Sequence, residues 1–303
     1  MRVSPRAIAG AIVLLAACAV GVDKPTELEH IHAPAASATK GPDLVGLPDL
    51  IVDEKATQNN WLVRVEDLPA NFCSVEEGNI IPGTRKVLRF TVTTPNVGDA
   101  DVYVGNPLDH MDPNGDGDTR DQDGLFEFAS CHNHFHFQHY ATYRLIDMSG
   151  KEWKAAKRGF CMLDTDPYNV NNGDGTWQYR SCGTTTIPGN QGISAGWADT
   201  YVFFLAGQYF VLDGGDHQPV VPPGQYIIEV HVNPPYAADR RGNCPFAKDA
   251  ATGLCHQFAE SNYANNVGRV TISIPDHPGR DGYGPLKGDK TKITAENEGH
   301  KGQ

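Results

Sequence analysis

The chain has 303 residues, 40% apolar and 20% charged, with 32 glycines and 21 prolines. That is enough apolar sequence for a sizeable core, and it shows neither a collagen period nor the helix-former bias of a coiled coil. Its 25 basic residues against 37 acidic ones give a formal charge of −12, which argues against a nucleic-acid partner and favours cationic or amine-bearing ones.

The N-terminus is predicted to be an export signal. Arg2 and Arg6 precede an apolar stretch from Ile8 to Ala17 that is too short to span a bilayer. The tetrapeptide Leu15-Ala16-Ala17-Cys18 resembles a bacterial lipobox, so residues 1–17 are expected to be removed and Cys18 to carry a lipid. Loss of the two arginines takes the charge to −14. An ordinary secretory signal is the alternative. The chain is thus expected to be exported, as a cell-envelope lipoprotein or an extracellular protein, touching a membrane only through Cys18. Residues 18–44 are rich in Ala, Pro and Thr without any period and are expected to form a tether.

From residue 45 to 275 the signal is period two. Leu88, Phe90 and Val92 alternate with Arg89, Thr91 and Thr93; Tyr226, Ile228, Val230 and Val232 share a face; so do Val270, Ile272 and Ile274. These runs lie between Gly, Pro, Asn and Asp clusters and predict half-buried antiparallel strands. The expected fold is mainly β, an antiparallel β-sandwich with long loops and little helix. Residues 276–303 are core-poor and are expected to be a disordered tail. Cys73, Cys131, Cys161, Cys182, Cys244 and Cys255 then form an even set, and in an exported chain this reads as up to three disulfides, with Cys244 and Cys255 the easiest local pair.

The segment SCHNHFHFQHY places His132, His134 and His136 at i, i+2 and i+4. On a β-strand these imidazoles share one face, with Phe135 and Phe137 opposite, and can converge on one ion. An all-nitrogen triad suits copper, zinc or iron. A second cluster is the loop Asp112, Asn114, Asp116, Asp118 and Asp123, which follows the D-x-[DN]-x-[DN]-G pattern and reads either as a calcium loop or as an acidic turn.

The histidine segment resembles the copper-binding segment of the lysyl oxidase family, in which Cys precedes H-x-H-x-H. The resemblance continues through Pro48–Val52 (PDLIV), Lys157–Cys161 (KRGFC) with Leu163-Asp164-Thr165, Gln191–Ser194 (QGIS) with Asp199-Thr200-Tyr201, PPGQYIIEVHVNPPY, and Glu260–Asn266 (ESNYANN). It implies a copper-dependent amine oxidase in which His132, His134 and His136 hold copper. Lys157 and Tyr201 would be cross-linked into lysine tyrosylquinone, an electrophile that accepts two electrons from a primary amine. The products would be an aldehyde, ammonia and hydrogen peroxide, with dioxygen as oxidant and simple amines or lysine-bearing proteins as substrates. The family's histidine beyond the triad is missing from Thr142-Tyr143-Arg144-Leu145, which leaves the general base open with His139 as the nearby candidate, although its odd offset turns it to the other strand face unless a bulge intervenes.

The same resemblance implies a Cys131–Cys182 disulfide. The family's local partner for Cys161, six residues on, is Pro167 here, so Cys161 is expected to pair with Cys73 or to stay free. It further implies a calcium site from Asp49, the Leu50 carbonyl, Glu260, Asn262, Asn265 and Asn266. The rival readings are a non-catalytic exported β-sandwich that binds copper or zinc, and a zinc or iron enzyme using the same triad.

Overall fold

A computed structural model describes residues 46–169 and 177–280. The expected leader, the expected lipobox at Cys18, the expected tether and residues 281–303 lie outside the described residues. The described chain is mainly β and antiparallel, with short helices at Glu54–Asn59, Cys73–Glu77 and Pro107–Met111. No helix among the described residues is long and apolar enough to cross a membrane.

The strands are distributed over six small sheets around one main core. The largest has four strands in the order Val267–Ile274, Gly224–Val232, Ala141–Asp147 and Glu152–Lys154. Its period-two pattern acts as expected: Tyr226, Ile228, Val230, Val232, Val270, Ile272 and Ile274 are all buried on the core side. On the other face Glu229 sits between Arg144 and Arg269, bonded to both. Burial would push its carboxyl pKa up, but the two guanidiniums win and hold it below the ordinary value. A group depressed in the folded state stabilises above its unfolded pKa and loses that contribution as pH falls through the folded one. Glu229→Gln should therefore cost about 1–3 kcal/mol at pH 7, with the difference from wild type shrinking in acid, as urea unfolding at several pH values would show. A constant difference down to pH 3 would contradict it.

A second sheet joins Trp61–Leu68, Gly83–Phe90 and Tyr209–Val211. Here the alternation read from Leu88 to Val92 is interrupted. Val92 opens a separate strand, Val92–Pro95, which pairs with Trp197–Tyr201 in a third sheet. Arg89, predicted to face solvent, is fully buried. Its guanidinium stacks on Tyr209, bonds Glu66, and donates to the carbonyls of Phe203 and Leu205. This buried cation is paired and its donors are used, which makes its burial tolerable, and it fixes the segment that follows Tyr201.

Two short antiparallel pairs complete the surroundings of the site: Val102–Gly105 with Gln191–Ile193, and Phe126–Ala129 with His134–Phe137. The ordered chain also runs beyond the expected end at residue 275. Gly279 exchanges two backbone hydrogen bonds with Val63, at 2.7 and 2.9 Å.

Candidate active site

The three histidines converge, but only two do so as strand residues. His134 and His136 lie on the strand His134–Phe137, with Phe135 and Phe137 buried on its other face. His132 precedes the strand in a turn, where Asn133 adopts a left-handed φ of 54°. The turn nevertheless delivers the third ring. One ligand nitrogen from each imidazole lies within 4.8 Å of the others, and the ring centres are 5.0–5.4 Å apart. Burial first, and then the electrostatic influence of Lys157 and the neighbouring histidines, push the His136 pKa down to about 2. It is therefore a neutral imidazole at any working pH, the form that binds a metal. The donor set fits a borderline ion such as copper or zinc.

His139 occupies the following turn with a φ of 58°, exposed, and does not join the convergence. A bulge returning it to the metal face, which a role beside the triad would need, is not present.

The KRGFC segment runs alongside the triad strand, tied to it by a 2.6 Å hydrogen bond from the Phe137 N–H to the Phe160 carbonyl. The fit at Gly159 is extreme: a Cβ there would lie 1.9 Å from Nδ1 of His136. Further along, Lys157 Nζ lies 5.0 Å from the centre of the Tyr201 ring. The Tyr201 hydroxyl accepts from the Cys161 N–H at 2.9 Å and donates to the Cys161 carbonyl at 2.8 Å. Phe160 packs edge-on against the same ring, with centres 5.3 Å apart. Tyr201 is 1% exposed, and burial holds its hydroxyl well above the ordinary tyrosine value, so it stays neutral. Gly207, with a φ of 67°, backs onto the Lys157 main chain, its Cβ position only 2.9 Å from the Lys157 Cα.

The other recognised segments are scaffold for this pair. The Gln191 side chain donates to the Phe135 and Cys182 carbonyls and accepts from Met162, stitching the triad strand to its neighbours. Asp164 accepts from the Ser194 hydroxyl and N–H at 2.7 and 2.8 Å. Asp199 lies two residues before Tyr201 on the same strand and is fully buried.

Two expected disulfides are corrected. Cys131 is joined to Cys73, and Cys161 to Cys182; only Cys244–Cys255 is as expected. The reason is placement. The helix Cys73–Glu77 docks on the turn that carries His132, bringing Cys73 to a Cα distance of 5.6 Å from Cys131. Cys182 instead lies by the Cys161–Met162 segment through the Gln191 bridge.

The residues assigned to calcium divide. Glu260 accepts from the Leu50 N–H and from the Asn233 and Asn266 amides, and Asn265 donates to Asp49, so the start and end of the domain are knitted together. Asn262 is exposed and accepts only a local N–H. In the acidic loop the carboxylates of Asp112, Asp116 and Asp121 converge. Asp118 is taken by Arg120 and Asp123 by His110, while Asn114 bonds Asp116. Asp121, absent from the sequence reading, falls outside the pattern's numbered positions.

The lysyl oxidase family model matches residues 68–243, more than half of the chain. The chain belongs to the lysyl oxidase family. Protein-lysine 6-oxidase from Gallus gallus is 27% identical over 246 residues, covering 77% of this chain and 46% of that protein. Lysyl oxidase homolog 1 from Homo sapiens is 29% identical over 75% of this chain and 33% of its own length. Protein-lysine 6-oxidase from Sus scrofa is 28% identical over 77% of this chain and 78% of that protein. The chain thus spans less than half the length of the first two lysyl oxidase relatives. The match includes the triad, Lys157 and Tyr201 within one family segment.

Proposed function

We propose that this chain is a copper-dependent oxidase of primary amines or of lysine side chains in proteins, working through a lysine tyrosylquinone made from Lys157 and Tyr201. The observation that carries this reading is the ammonium-to-ring distance of 5.0 Å between those two side chains, at a site beside three convergent imidazoles. The two residues are 44 positions apart in sequence and are brought together by the fold.

Bound copper and the quinone would supply the two-electron chemistry by which a primary amine, dioxygen and water become an aldehyde, ammonia and hydrogen peroxide. The chain's own residues do the rest. His132, His134 and His136 would hold the ion, with His136 already neutral. The Cys161 peptide grips the tyrosine hydroxyl, Phe160 limits ring tilt, and Gly207 lets the Lys157 backbone approach. The acidic chain as a whole favours arrival of a cationic amine. Export, with a lipid anchor at Cys18, belongs to the same reading.

Calcium is proposed at the closing segment. The buried side-chain oxygens of Asn265 and Asn266 accept no hydrogen bond among the described residues, and oxygen donors beside the Glu260 carboxylate suit that ion.

Protease digestion of copper-loaded, aerated protein tests the central proposal. A cross-linked peptide containing Lys157 and Tyr201, together with inactivation by phenylhydrazine, is expected. Recovery of the two peptides unmodified and uncoupled would overturn it.

A further inference from the structure

Of the three triad histidines, His132 is the one outside the strand ladder, so hydrogen bonding between strands does not fix its backbone. Its ring is nevertheless held. Nε2 lies 3.2 Å from Oε2 of Glu77, a residue 55 positions earlier in the chain, and the His132 side chain is only 5% exposed. Glu77 ends the short helix Cys73–Glu77 and is followed at once by the buried Gly78. The first residue of that helix is bonded to Cys131, the neighbour of His132. Helix and turn are therefore fastened twice, by a disulfide at one end and by the Glu77–His132 contact at the other.

We propose that Glu77 is a positioning residue for the metal centre: it accepts the Nε2–H of His132, fixing the tautomer and leaving Nδ1 as the ligand atom. A neutral imidazole carries one proton, and a carboxylate at one nitrogen keeps it there. A carboxylate behind a ligating imidazole also raises its basicity and sets its ring plane, and loss of such a partner commonly weakens metal binding 10- to 100-fold. For His134 and His136 the strand backbone already sets direction. For His132 that work falls to Glu77.

The inference rests on the reading that the triad binds a metal, and its test separates the two. Dissociation constants for Cu(II) and Zn(II) would be measured by chelator competition on the full chain, for wild type, Glu77→Ala, Glu77→Gln and the exposed neighbour Glu76→Ala. Glu77→Ala should bind roughly 10- to 100-fold more weakly, Glu77→Gln less so, and Glu76→Ala within about twofold of wild type. Spin-echo spectra of the copper form should change their remote-nitrogen couplings in the Glu77 variants alone, a signature that a merely structural role would not move. Should Glu77→Ala fail to fold, Glu77→Gln, whose neutral amide no longer raises the imidazole's basicity, carries the test, and affinity within twofold of wild type with unchanged couplings in it alone overturns the inference. Tight wild-type binding that both Glu77 variants match within twofold, with unchanged couplings, overturns this inference alone. A wild type that binds neither ion overturns it and the metal reading together.

Discussion

Gly159→Ala should abolish tight metal binding at the triad. The added methyl would meet Nδ1 of His136 at 1.9 Å, Cγ at 2.4 Å and Cε1 at 2.7 Å, all far inside contact distance. Neither partner can yield easily. His136 is 6% exposed and sits in a paired strand, while the Gly159 segment is tied to that strand through Phe160 and Phe137. Either the imidazole leaves its place or the Lys157–Phe160 segment lifts away, and both outcomes separate the proposed ligands from Lys157 and Tyr201. Overpacking of this kind costs about 1–3 kcal/mol in stability, but the metal should suffer more. A fall of more than about 100-fold in copper or zinc affinity is expected, because one of three ligands is displaced. The exposed Arg158→Ala is the control and should bind as wild type does. Titration with a competing chelator decides; an unchanged affinity in Gly159→Ala would show that Gly159 does not press on the His136 ring in this way.

Tyr201→Phe should remove amine oxidation entirely while leaving copper in place. The tyrosine hydroxyl contacts the Cys161 peptide rather than the triad, so deleting it spares the imidazoles. It does leave the buried N–H and carbonyl of Cys161 without this partner, a penalty of about 1–3 kcal/mol that thermal unfolding would register. Without an oxidisable phenol there is no quinone precursor, so peroxide release from a simple diamine should fall more than a thousandfold, to background. Lys157→Arg should behave likewise: the cation near His136 is kept, but the nucleophilic amine is lost. Residual turnover within tenfold of wild type in either variant would refute the assignment. Copper affinity lost in parallel would show that the tyrosine belongs to the metal centre instead.

Much of this was legible in the sequence, and the failures have identifiable causes. Period-two runs such as Tyr226–Val232 identified strands because one face packs apolar side chains into the core while the other carries polar and charged ones, a contrast that survives in composition. Arg89 broke the rule because its burial depends on Glu66 and on two carbonyls more than 100 positions away. The triad was visible in its spacing, yet the spacing suggested a continuous strand where a turn at Asn133 supplies the first histidine. Disulfide pairing was not legible, since it follows from how the helix Cys73–Glu77 docks and not from separation along the chain. Gly159 and Glu77 carry no local signal either. One matters for the side chain it lacks, the other for a partner 55 residues later.

The grip on Tyr201 has a consequence for the order in which the protein matures. The two atoms that hold its hydroxyl belong to the peptide of Cys161, and Cys161 is itself anchored to Cys182. That anchor forms only where thiols can be oxidised. On the proposed reading, Tyr201 is thus set in place by one oxidation before it undergoes another. Under that proposal, a chain held in a reducing compartment would lack the Cys161–Cys182 anchor behind this phenol, and export would supply the oxidising condition for both steps.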